Sequence, residues 1–134
     1  MKKLIRTVLS GLAPGMFVPG RKSFVRMKLI LNRWVAEKGF CECEMRMEDV
    51  AEQLGVSREA LSSFCLRNYG MTFLSWRKQL RIEEAMRIMA EDRNLSFSVI
   101  GEMVGIPDRS NFRRQFVDVA GMTPCEWKKR SAGL

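Results

Sequence analysis

The side chains able to do chemistry in this chain are mainly arginines and hydroxyls, and they come in two groups. Arg58, Glu59, Ser62 and Ser63 form one; Arg109, Ser110, Asn111, Arg113 and Arg114 form the other, about 50 residues later. An arginine fork matches the O6 and N7 of guanine or the oxygens of a phosphate, a glutamate can accept from cytosine N4, and serines discriminate poorly. This is recognition chemistry, not bond-making chemistry. The chain has no histidine. That removes His-based zinc sites, Ser-His and Cys-His nucleophile pairs and histidine pH switching together. Cys41 and Cys43 make a C-x-C pair, but Cys65 and Cys125 do not make a second pair at metal-site spacing. The four thiols read as reduced cysteines, with a shared thiolate metal or redox site as the alternative. No cofactor is expected.

Charge supports an anionic partner only in part. The formal net charge is +8 and the sequence pI is about 9.8, which suits nucleic acid or an anionic membrane surface. Residues 1–22 hold five basic groups and no acid, whereas residues 47–134 hold 13 basic and 12 acidic groups, a net of only +1. The body must therefore sort its charges by face if it binds an anion. No window approaches the roughly 18 to 20 apolar residues of a membrane span, so no membrane partner is expected. The start, "MKKLIRTVLSGLAPG", resembles a secretory signal until Arg6 interrupts its apolar stretch and no clean small-residue cleavage site follows.

Helices must position these groups. "APGMFVPG" reads as a loop, so residues 1–22 are taken as a basic arm or linker. From Ser23 a helical spacing begins through Phe24, Met27, Ile30, Leu31, Trp34 and Val35, with Gly39 as its stop. "FCECEMRM" alternates Cys41, Cys43, Met45 and Met47 with charged residues, which predicts a short extended segment. A short helix then ends at Gly55, and Ser57 caps a second that stops at Gly70. Thr72 opens a long helix to about Asp92, with Leu74, Ile82, Ala85, Ile88 and Met89 supplying much of its apolar face. "FSVIGEMVG" is another short helix, and a further one starts after Asp108. Thr123, Pro124 and Glu126 give the last helix a cap, a proline at its first position and a Thr-x-x-Glu capping box.

The two chemical groups belong to a repeat. "GMTFLSW" at 70–76 returns as "GMTPCEW" at 121–127, with four of seven residues identical at an offset of 51. "DVAEQLG" at 49–55 lies over "SVIGEMVG" at 98–105, Gly55 over Gly105, and one inserted residue turns "GVS" into "GIPD". Leu61 then lies over Phe112 and Cys65 over Phe116. Each copy is a short helix, a turn after a glycine and a second helix, the pattern of a helix-turn-helix. At about 100° per residue, Leu61, Phe64 and Cys65 share one side of the first capped helix, and Glu59, Ser62, Ser63 and Leu66 the other. Phe112 and Phe116 mark the buried side of the second. Ser110, Arg113, Arg114 and Val117 lie opposite, with Arg109 at the edge.

From Ser23 to Arg130 the chain resembles the AraC/XylS-type transcription regulators in their paired helix-turn-helix DNA-binding domain. The matching stretches are "LGVSREALSSFC", "GMTFLSWRKQLRIEEAMRIM", "VIGEMVGIPDRSNFRRQF" and "GMTPCEW". Gly101 departs from the family's usual alanine. Ile106 stands for an aromatic, Gln115 takes an apolar place and Cys65 an aromatic one. The resemblance implies an all-α fold of about seven helices. Its parts would be a first helix-turn-helix subdomain at 23–71, a connecting helix at 72–92 and a second subdomain at 93–134. It implies sequence-specific binding of double-stranded DNA by a cytoplasmic bacterial regulator, without catalysis. It also implies base contacts from Arg58, Glu59, Ser62 and Ser63, and from Arg109, Ser110, Asn111, Arg113 and Arg114. Phosphate contacts fall to the helix N-termini near Ser57 and Asp108 and to Lys128, Lys129 and Arg130. Arg81 matches an arginine of the family's joining helix, for structural pairing or for phosphate. RNA polymerase is a partner by the same resemblance. Two reading units in one chain make a dimer unnecessary. The Pro/Gly-rich start suggests the DNA-binding piece of a longer protein over a stand-alone regulator.

Two other readings compete. One is a protein-interaction module that kept the helix-turn-helix and lost DNA binding, which Glu59 and the near-neutral body favour. The other is the targeting module of a DNA-processing enzyme, which would need metal held by Glu42, Glu44, Glu48 and Asp49.

Overall fold

The computed structural model describes residues 20–133, and among them seven α-helices and no strand. They are α1 (Arg21–Ala36), α2 (Met47–Leu54), α3 (Arg58–Asn68), α4 (Phe73–Glu91), α5 (Phe97–Met103), α6 (Arg109–Ala120) and α7 (Pro124–Ser131). The expected arm lies outside the described residues up to residue 19; Arg21 and Lys22, assigned to it above, form the first turn of α1.

Local chemistry sets most boundaries. The side chains of Ser57, Thr72, Ser96, Asp108 and Thr123 each accept the backbone N–H three residues on, at 2.7 to 3.2 Å. Each bond satisfies a donor that the first helical turn leaves open. Thr123 Oγ1 also donates to Glu126 Oε1 at 3.0 Å, tying the first turn of α7.

The apolar faces build two cores along α4. The first joins Met27, Leu31 and Trp34 of α1, Val50 and Ala51 of α2, Leu61, Phe64 and Cys65 of α3, and Phe73 and Trp76 of α4. Its aromatics interlock: Trp34 lies 5.7 Å from Trp76, and Tyr69 stacks on Trp76 at 4.5 Å and 11°. The second core joins Ile82, Ala85, Ile88 and Met89 of α4 with Ile100, Val104, Ile106, Phe112 and Phe116. Burying an aliphatic or aromatic side chain of this kind contributes roughly 1.5 to 3 kcal/mol. So the two helix-turn-helix units, α2–α3 and α5–α6, are held on one shared helix.

Two expectations are corrected. The segment "FCECEMRM" is not extended. Gly39–Cys41 form a 3-10 turn, Glu44 takes a left-handed φ of 63°, and α2 starts at Met47. With no strand to pair with, its backbone polar groups find partners on α4 instead. Leu74 is not on the apolar face of α4; it is 54% exposed, while its neighbour Phe73 is buried. The first turn of α4 rotates Phe73 and Trp76 inward, which turns Leu74 out.

The departures from the family pattern are packed. Ile106 and Cys65 are buried and Gln115 is half-buried. An ideal Cβ on Gly101 would stand 2.6 Å from the Ile106 carbonyl oxygen, so the turn of the second unit closes on a missing side chain.

Candidate nucleic-acid interface

The N-terminus of each unit's second helix is open to solvent. On α3, Arg58 and Glu59 are exposed, and Ser62 and Ser63 are half-buried beside them. On α6, Arg109, Ser110, Arg113 and Arg114 are exposed and Asn111 is half-buried. Helical spacing places Leu66 and Val117 on the outward sides, and both are exposed, at 51% and 38%. Inward, Leu61, Phe64, Cys65, Phe112 and Phe116 are buried. Each recognition-type helix is therefore anchored by its apolar side and presents its polar side.

The two polar sides differ. Arg58 Nε lies 3.2 Å from Glu48 Oε1 of α2, so the one arginine of the first set has a carboxylate partner. Periodicity could not reveal that pair, because it joins two helices across a turn. In the second unit Arg114 donates through Nη2 to Asn111 Oδ1 one turn earlier on α6, which aligns both side chains. An open cleft of about 370 Å³ separates the N-termini of α6 and α7, bordered by Arg109, Ser110, Arg113, Thr123 and Cys125. The second unit thus places Arg109 and Arg113 on a cleft that two helix N-termini line, and both features attract phosphate.

The flanking lysines divide. Lys129 and Arg130 are exposed near the end of α7. Lys128 is half-buried, its Nζ 5.7 Å from the centre of the Phe97 ring. Its backbone carbonyl accepts from Arg93 Nη2 at 3.1 Å. Lys128 therefore stands partly against α5, and Lys129, in the same turn, is exposed.

Arg81 is structural. It is buried; its Nε donates to the Phe40 carbonyl at 2.5 Å and its Nη2 to the Glu42 carbonyl at 2.8 Å. Burial, then the nearby Arg77, lowers its pKa to about 10, so it stays charged at neutral pH. Arg77, one turn earlier, donates to the Met45 carbonyl and lies 5.6 Å from the centre of the Phe73 ring. The one signal of Arg77 in the sequence is its place four residues before Arg81 on the same helix.

All four cysteines are free, and burial pushes the Cys65 thiol up to about 12, which makes it a core residue in place of a nucleophile. Among the described residues, no three of Cys, Asp and Glu converge to hold a metal ion. No helix among them is long and apolar enough to cross a membrane.

A model of the family described as "Helix-turn-helix domain" matches residues 50–130. A regulator of Corynebacterium glutamicum, the HTH-type transcriptional regulator RipA, is 32% identical over 88 residues, covering 66% of this chain and 26% of that protein. The arabinose operon regulatory protein of Salmonella typhimurium is 30% identical over 79 residues, 59% of this chain and 28% of that protein. The chain belongs to the AraC/XylS-type helix-turn-helix family. It carries a DNA-binding domain of transcription regulation. Solved AraC-type structures share the architecture. The C-terminal domain of AraT, a response regulator from Geobacillus stearothermophilus, superposes with a TM-score of 0.67 at 25% identity, over 75% of this chain and 84% of that one. An AraC-type transcriptional regulator from Chromobacterium violaceum superposes at 0.66 and 20% identity, over 84% and 97%. The chain spans about a quarter of the length of the curated relatives it matches.

Proposed function

We propose that this chain binds a bipartite site on double-stranded DNA, with α3 in one major groove and α6 in the next on the same DNA face. The observation that carries the reading is the pair of capped helices with exposed polar N-termini, Arg58–Ser63 and Arg109–Arg114, borne on one continuous helix. Nineteen residues of α4 at ~1.5 Å each span about 28 Å, close to the ~34 Å turn that separates successive major grooves. The second unit supplies most of the cationic affinity, because Arg109, Arg113 and Arg114 outnumber an Arg58 already paired with Glu48. Lys129 and Arg130 add phosphate contacts, and Lys128 a weaker one. Of the division 23–71, 72–92 and 93–134, the first part begins at Arg21, where α1 starts.

On this reading the chain acts by binding alone, without catalysis, in the bacterial cytoplasm. One copy suffices for one bipartite site, and RNA polymerase is the protein partner. Selection from random duplexes followed by hydroxyl-radical footprinting tests it. The expected result is two protected patches about one helical turn apart, ~10 bp centre to centre. A single compact patch refutes simultaneous engagement. No salt-dependent retention of any duplex refutes DNA reading altogether and leaves a protein-interaction module.

A further inference from the structure

The segment between α1 and α2, which the repeat does not include, touches both units. On one side Arg81 and Arg77 of α4 hold the carbonyls of Phe40, Glu42 and Met45. Lys38 Nζ lies 2.8 Å from Glu84 Oε2 on the same helix. On the other side the segment meets the second unit. Gly105, at the turn between α5 and α6, takes a φ of +87°, and a Cβ there would stand 2.6 Å from the Cys41 carbonyl oxygen. Cys41 packs against both apolar cores.

A two-unit reader joined only by one helix could bend or twist at that helix. Here a second connection runs beside α4. Its backbone carbonyls face the buried Arg81 and the half-buried Arg77, and backbone meets backbone at Gly105, where neither side can move without losing contact. We infer that Lys38–Met45 is a brace that fixes the second helix-turn-helix against the first. Arg81 is its positioning residue, and the brace sets the half-site spacing that the chain selects. The spacing part rests on the bipartite reading above; the brace itself does not.

Two readouts separate them. Arg81→Met keeps the apolar stem and removes the donors. Lys38→Asn keeps a residue type that tolerates the left-handed turn and removes only the pair with Glu84. Residual dipolar couplings on the free protein report the orientation of α3 against α6 without DNA. The wild type should fit one alignment tensor across both helices, and Arg81→Met should need two. On bipartite duplexes, adding two base pairs between the halves should weaken the wild type ~10-fold or more. In Arg81→Met the same insertion should cost ~3-fold or less, since a loose link tolerates spans that a rigid one does not. Affinity for an isolated half-site should be unchanged. Lys38→Asn should move both readouts the same way by less, and it decides the matter if Arg81→Met fails to fold. Folded variants that keep one tensor and the wild-type spacing penalty overturn the brace. A second tensor needed in Arg81→Met, in a protein whose wild type ignores spacing, upholds the brace and refutes the bipartite reading.

Discussion

Gly101 and Ile106 meet backbone to backbone: the Ile106 N–H donates to the Gly101 carbonyl at 2.7 Å, and the space beside the Gly101 Cα is filled by the Ile106 carbonyl oxygen. Two effects oppose each other on replacing Gly101 with the alanine usual in the family. Helix propensity favours alanine by about 1 kcal/mol. A Cβ 2.6 Å from a carbonyl oxygen forces the turn apart, and such overpacking costs roughly 1 to 3 kcal/mol. The oxygen belongs to backbone and cannot swing aside, so the clash wins. Gly101→Ala should lower the urea midpoint with an unchanged m-value. A raised midpoint would mean that the turn opens freely.

Glu84 should make the protein acid-sensitive in a defined window. The Arg87 guanidinium, with help from Lys38 and against partial burial, holds its carboxyl down at about 2 from the usual 4.5. A carboxyl with a depressed folded-state pKa contributes stability above pH 4.5, and that contribution fades as pH falls toward 2. Lys38 and Arg87 are each about half exposed, so solvent screening discounts the contribution to about 1 kcal/mol or less. Glu84→Gln should lower stability at pH 7 and lose less than the wild type between pH 4.5 and 2. Parallel stability curves for the two proteins across that window would show that Glu84 is not the group responsible.

Arg114 and Lys129 should fail differently. If Arg114 forks onto a guanine, Arg114→Ala costs ~1 to 3 kcal/mol and relaxes preference at one base position. If Lys129 meets only phosphate, Lys129→Ala weakens cognate and scrambled duplexes alike and flattens the log-affinity against log-salt slope by ~1. Both are read by fluorescence anisotropy across a salt series. Equal losses on both duplexes for Arg114→Ala, with the site preference intact, would move the reading face elsewhere on α6.

The thiols should react in a set order. Cys43 and Cys125 are exposed, Cys41 is half-buried and Cys65 is fully buried. Burial raises the pKa of Cys41 and lifts Cys65 to about 12, and the thiolate is the reactive form. With Ellman's reagent at neutral pH, two thiols should titrate promptly and a third slowly, and Cys65 should appear only on unfolding. Prompt titration of all four would mean that the first core opens readily.

Most of the helices could be read from local signals. Ser57, Asp108 and Thr123 are caps because hydroxyl and carboxylate oxygens reach the open N–H groups just ahead of them. Gly121 ends α6 with a φ of 75°. The inward faces followed from Leu61, Phe112 and Phe116 recurring at helical spacing. What failed was contact at long range. Residues 41–47 alternate in polarity and read as extended, yet Arg81, some 40 residues away, supplies the partners that let the segment turn. The sequence around Arg81 does not decide its role, because burying a guanidinium depends on carbonyls elsewhere in the chain. Leu74 counts as apolar in any pattern, and only the inward turn of Phe73 and Trp76 shows it outside. At the site, the exposure of Arg109, Arg113 and Arg114 was legible. The Glu48 partner of Arg58 and the ring beneath Lys128 were not, since each joins residues from different helices.

The tryptophans are unevenly shared. Trp34 and Trp76 sit together in the first core, with Tyr69 stacked on Trp76, whereas Trp127 rests alone near Phe116 at 6.3 Å. The molecule therefore carries two optical reporters of different character. The close indole pair can exchange excitation and gives exciton-type circular dichroism only while the first core is intact. The half-buried Trp127 emits as a solitary chromophore whose colour follows the packing of α7. Melting followed at both signals would separate the two halves of the chain without a label, and any lag between them would measure how far one half depends on the other.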